Sequence, residues 1–227
     1  RKLQGELREL HRQKVEHPLL PYTKAVQKRF AIDWSADQVS SPSFTGTRVL
    51  QDVQVDDLVP FIDWTFFFAA WELKGKYPKI FEHPDYGPAA RELHDNAVAM
   101  LRRMQDEGRL TARGVYGFWP ANSDGDDIVV WTDESRTEER CRFPMLRQQR
   151  TSDASKPTLC LADFVAPIDS GLKDHVGAFA VSAFGAEDFA AEFEAEHDDY
   201  NAILVKALAD RCAEAFAEKL HQQARAD

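Results

Sequence analysis

Three carboxylates carry the chemistry this sequence could do. Asp63 heads the run Phe61-Ile62-Asp63-Trp64-Thr65-Phe66-Phe67-Phe68, an acid set among aromatic rings. As a helix N-cap it satisfies the first free N–H groups and needs no further role. A carboxylate beside aromatic faces would equally hold a ligand that joins a cationic amino group to an aromatic base. Asp210 and Glu214 share one face of a long helix with Ala213 and Ala217. Like charges at this spacing cost roughly 0.2–0.5 kcal/mol, here relieved in part by Lys206. That face is either plain solvated surface or a place where short alanines let a flat, bulky partner come close. Residue chemistry alone leaves both readings open, and it assigns Trp64, Phe66 and Trp71 to the core.

Other chemistries are excluded by their missing signatures. The chain has no G-x-G-x-x-G, G-x-x-x-x-G-K-[ST], G-x-S-x-G or H-E-x-x-H pattern, so nucleotide hydrolysis and serine hydrolysis recede. Asn122 to Asp127 resembles a calcium loop superficially, but Asp133 stands where the bidentate Glu belongs, and a hairpin turn is the better reading. Cys141, Cys160 and Cys212 lie far apart, with no C-x-x-C pair and no histidine at zinc-ligand spacing. They are expected as reduced, buried thiols, and no metal site is assigned. The histidines are scattered and read as surface or packed side chains.

The elements that must position these residues follow from periodicity. Lys2 to Glu16, with Leu3, Leu7 and Leu10, predicts a linker helix. Pro18, Pro21, Pro42 and Gly46 break any period from His17 to Gly46, predicting an extended arm. Asp63 caps a helix that is apolar nearly all round and therefore buried. Ala89 to Glu107 is amphipathic through Leu93, Ala97, Met100, Leu101 and Met104, with Gly108 as its stop. Gly114 to Pro120 and Ile128 to Thr132 form a hairpin, and Arg140 to Phe143, Thr158 to Leu161 and Val176 to Phe184 are further strands. Glu187 to Glu196 and Tyr200 to Arg225 are helices, with caps offered by His197, Asp198 and Asp199. The fold class is α+β, a mostly antiparallel sheet framed by helices.

At 227 residues and 44% hydrophobic, the chain can bury a sizeable core. A net charge of -10 argues against nucleic-acid or anionic-membrane partners, which need a basic surface. No apolar stretch approaches the length of a membrane span and no signal peptide is evident, so a soluble, cytoplasmic protein is expected. The chain begins at Arg1, in a helical pattern, and reads as a piece of a longer polypeptide.

Several stretches resemble the reactivation domain of cobalamin-dependent methionine synthases. They are Phe61-Ile62-Asp63-Trp64-Thr65 with Gly75-Lys76-Tyr77-Pro78, then Pro120-Ala121-Asn122 with Gly125-Asp126-Asp127-Ile128. Cys160-Leu161-Ala162-Asp163-Phe164-Val165-Ala166-Pro167, His197-Asp198-Asp199-Tyr200-Asn201 and Lys206 through Glu218 follow in order, over nearly the whole chain from about Val49. The resemblance implies domains at 1–48, a linker helix and arm from a preceding cobalamin-binding domain, and at 49–227, a reactivation domain lacking its C-terminal part. In that family a neighbouring domain carries cobalamin, which shuttles methyl groups from methyltetrahydrofolate to homocysteine and sometimes oxidises to an inert state. The reactivation domain docks over it, flavodoxin or a related flavoprotein supplies an electron, and S-adenosylmethionine supplies the methyl group. The resemblance therefore implies a methyltransferase in methionine biosynthesis as part of the full-length enzyme, the isolated fragment being inactive, with zinc only elsewhere in that enzyme. It assigns Asp63 to S-adenosylmethionine and Asp210 and Glu214 to the cobalamin-facing side. The family continues with an Arg-x-x-x-Gly-Tyr segment holding most other S-adenosylmethionine contacts, and this chain stops at Asp227. The alternatives are a non-catalytic docking module and a standalone reactivase for a separate corrinoid protein.

Overall fold

The computed structural model describes Gln4, residues 19–150 and residues 155–227. Gln4 apart, the helix expected over Lys2 to Glu16 lies outside the described residues. Five strands form one sheet: β1 (Gly46–Val53), β2 (Thr111–Asp124), β3 (Asp127–Trp131), β4 (Glu139–Pro144) and β5 (Asp174–Phe184), in the order β1-β2-β3-β4 with β5 also pairing with β2. The expected hairpin is β2 and β3, antiparallel with Asp124 opposite Asp127, and β4 continues the antiparallel order. Its turn is tighter than the six polar residues suggested, because Gly125 at φ 65 turns the chain where a side chain is disfavoured. The α+β expectation holds.

Contacts divide the chain into two compact units, Arg1–Thr45 with Phe118–Val176, and Gly46–Gly117 with Gly177–Asp227. The first has a small apolar cluster around Ala121, Ile128, Cys160, Ala162 and Val165. Polar clamps do much of the remaining work. Arg147, its side chain fully buried, donates to Asp126 and Asp163 at 2.6 Å each and to the Thr158 carbonyl at 2.6 Å. These bonds hold the Asp126 carboxyl below the usual carboxylate range and keep the guanidinium charged. Tyr22, on a short helix α1 (Tyr22–Gln27), donates its hydroxyl to Asp126 at 2.9 Å. This helix corrects the expectation of a purely extended arm. Pro21 at φ -53 is already set for a helical start, and Ala25 anchors the helix by full burial. The strand expected at Thr158 to Leu161 is also corrected: Thr158 makes a single bridge to Arg29, and Leu161–Phe164 is a 3-10 turn. The cause is Asp163, whose carboxylate accepts from Cys160 N at 3.0 Å and bends the chain instead of extending it.

The second unit is built on a large apolar core. Helices α2 (Val55–Leu58), α3 (Trp64–Ala70), α4 (Gly87–Asp106), α5 (Ala186–Ala195) and α6 (Asp199–Ala226) supply it. On α4 the expected stripe of Leu93, Ala97, Met100, Leu101 and Met104 is buried, and Gly108 at φ 63 ends the helix. On α6 the apolar face runs through Leu204, Val205, Leu208, Cys212, Phe216 and Leu220, each buried. Burying such side chains stabilises by roughly 1.5–3 kcal/mol apiece before entropy is counted. Asp198 caps α6, accepting from Asn201 N at 3.1 Å. Gly114 lies against Phe216, and a Cβ there would stand 2.8 Å from the ring. Cys212 is sealed in this core, and burial pushes its thiol up to about 12. Cys160 is buried as well, but Cys141 is exposed on β4, against expectation, because every residue of that strand faces solvent.

Candidate functional site

The site is built from the entrance to α3. Asp63 Oδ1 accepts from Thr65 N at 2.9 Å and Phe66 N at 3.2 Å, so the expected cap is present. Among the described residues, no hydrogen bond engages Oδ2, and Asp63 is exposed. One oxygen serves the helix; the other is available to a ligand. Thr65 Oγ1 accepts from Tyr77 N at 3.2 Å, tying the Gly75 to Pro78 loop to the first turn of α3. Behind them stands an aromatic nest: Trp64 packs 4.6 Å from His94, and Tyr77 stacks on His94 at 5.8 Å and 19°. Trp64 is buried, as expected. Phe66 is not: the residue is 64% exposed, which corrects the expectation of an all-round buried helix. A helix of seven residues at the surface turns only one side, Trp64, Phe67 and Phe68, toward the core.

These residues wall a cavity of about 630 Å³. Asp63, Thr65, Phe66 and Tyr77 form one side, and Glu214, Ala217 and Glu218 of α6 form another. The structure thus brings Asp63 and Glu214, remote in sequence, to one concavity. It does not bring Asp210 there: that residue is exposed on α6 and does not line the cavity. Neither acid of α6 points into the core. Glu214 takes both terminal nitrogens of Arg211, at 2.7 and 3.0 Å. Lys206 instead pairs with Glu194 at 2.8 Å and Glu187 at 3.9 Å, so the relief expected from Lys206 comes from Arg211. Sequence reasoning passed over Glu218, Thr65 and Tyr77 as wall residues. Glu218 could have been found, because it lies one helical turn beyond Glu214 on the same face.

Three carboxylates and several rings around one opening suit a ligand with positive charge and a flat apolar part. Beside the cavity, the α6 surface carries exposed Asp210 and Glu214 and half-buried Ala213 and Ala217, with little side chain to obstruct a flat group. Among the described residues no cluster of His, Cys, Asp and Glu could hold a metal ion, and no helix is long and apolar enough to cross a membrane.

Comparison with known proteins adds two findings. The family model described as vitamin B12 dependent methionine synthase, activation domain, matches residues 54–227. A crystal structure of the MetH reactivation domain bound to AdoHcy is similar to this chain at 44% sequence identity and a TM-score of 0.86, over 92% of this chain. The chain spans 64% of the length of that structure.

Proposed function

The chain belongs to the vitamin B12-dependent methionine synthase activation-domain family, and from that premise we propose that it binds S-adenosylmethionine in the Asp63–Glu214 cavity and presents it to cobalamin for reductive methylation. The observation that carries this reading is that Asp63, whose cap uses one carboxylate oxygen, lines the same concavity as Glu214, Phe66 and Tyr77. Asp63 takes the ligand's ammonium, Glu214 and Glu218 add a negative field that favours its sulfonium, and the aromatic side covers its apolar parts. The AdoHcy in the similar crystal structure supports a ligand of this class.

The α6 face bearing Asp210, Ala213 and Ala217 is where a flat macrocycle would sit, the two half-buried alanines keeping its middle low. Cobalamin supplies the metal centre that accepts the methyl group. This chain's residues bind the donor, orient its methyl group and exclude competing solvent; their contribution is proximity. A cobalamin-binding domain as partner and a flavodoxin-like electron donor belong to the same proposal. So does a domain boundary near residue 49.

Calorimetric titration with S-adenosylmethionine, on the chain extended by the Arg-x-x-x-Gly-Tyr segment of the family, tests it. Asp63→Asn keeps a capping oxygen and removes the charge, so affinity falls about tenfold or more, the worth of one charged hydrogen bond. Unchanged affinity would leave Asp63 with its capping role alone.

A further inference from the structure

A second cavity of about 410 Å³ lies in the second unit, and none of its residues lines the first. Its walls are Trp71 and Leu73 just beyond α3, Glu92, Leu93 and Asn96 along α4, and Tyr200 in the first turn of α6. The rings of Trp71 and Tyr200 stand 5.3 Å apart at 56°, making a corner with two π faces. Asn96 Nδ2 donates to the Tyr200 hydroxyl at 3.0 Å. That bond fixes the ring and uses one of the two amide N–H donors, and among the described residues no hydrogen bond engages Asn96 Oδ1. Glu92 is exposed, with no ion pair among the described residues. No lysine, arginine or histidine lines the cavity. Its polar wall therefore offers π faces, an amide oxygen, a phenol and a carboxylate, a set that attracts a cation. Leu73 and Leu93 give the aliphatic stem of such a cation an apolar floor. The backbone aims these groups: Glu72 sits at φ 60, a conformation non-glycine residues rarely hold, and the turn it makes sends Trp71 and Leu73 to the same cavity.

We propose that this cavity receives an arginine side chain presented by a partner protein. A planar guanidinium stacks on the rings and forks onto a carboxylate, as a point-charge ammonium does not. The cavity is open, with Glu92, Asn96 and Tyr200 all exposed, which suits a side chain arriving on a partner surface better than a free metabolite, which sites usually enclose. A net charge of -10 adds long-range attraction for a basic partner.

The test is a titration of this chain with the blocked tripeptide acetyl-Ala-Arg-Ala-amide, following the Trp71 indole resonance and the heat of binding. Its citrulline counterpart, neutral and isosteric, should bind about tenfold more weakly, and the lysine counterpart should fall between them. Glu92→Gln and Tyr200→Leu, both surface changes, should each weaken the arginine peptide about fivefold. Asp63→Asn, at the other cavity, should leave it unchanged, so failure here is distinct from failure of the S-adenosylmethionine reading. Equal binding of arginine and citrulline peptides, or indifference to both surface variants, overturns the proposal. Free arginine binding far more tightly than the peptide would replace the partner protein with a small metabolite.

Discussion

The two units hold themselves together differently. The second packs aromatic and aliphatic side chains from five helices into one core, and its polar groups, Asp63, Glu92, Asn96 and Glu214, are left at openings. The first has few apolar residues to bury and closes its loops with charge, Arg147 between Asp126 and Asp163, and Arg136 on the Ala121 and Asp174 carbonyls and the Asn122 amide oxygen. Polar groups consumed by structure cannot serve a ligand. That is why the candidate sites fall in the unit whose core is apolar.

The contrast can be broken most severely at Arg147. Arg147→Met leaves two buried carboxylates without their partner and should cost about 3–5 kcal/mol, read by denaturant unfolding. A silent substitution would mean that the first unit does not depend on its clamp. In the second unit the matching lesion is steric. Gly114→Ala drives a methyl group toward Phe216 and should cost about 1–3 kcal/mol, with Phe216→Leu in the same chain recovering part of it. Acid then separates the units. Asp126 has a depressed folded pKa, so its contribution is full above the ordinary aspartate value and is lost as pH falls through the depressed one. Amide exchange below about pH 3.9 should loosen the Arg147 loops before the α4 and α6 core. The smallest effect belongs to the candidate site. Asp210→Ala and Glu214→Ala should shift stability by less than about 0.5 kcal/mol while slowing cobalamin reactivation, and a large melting shift in either would make those acids structural.

What was legible in the sequence follows the same division. The amphipathic stripes of α4 and α6 and the Asp63 cap are local patterns, and they read correctly. The Thr158 to Leu161 segment has strand-like residues but bends because Asp163 accepts from Cys160 N three residues back and is itself held by Arg147, a tertiary pairing that strand periodicity does not weigh. Phe66 misled because an aromatic run says nothing about how short its helix is. The meeting of Asp63 with Glu214 and Glu218 was beyond reach, since it depends on how α6 packs beside the entrance to α3. The resemblance assigns Asp63 to S-adenosylmethionine and Asp210 and Glu214 to the cobalamin-facing side, without placing Asp63 and Glu214 in one cavity.

The interleaving of the units also orders events at the ribosome. All segments of the first are present once Val176 has emerged, whereas the second then lacks β5's far half, α5 and α6. Leu93, Met100, Leu101 and Met104 wait during that interval for the helices that complete their core. Nascent chains halted between Val176 and Tyr200 are therefore where aggregation and chaperone capture should peak.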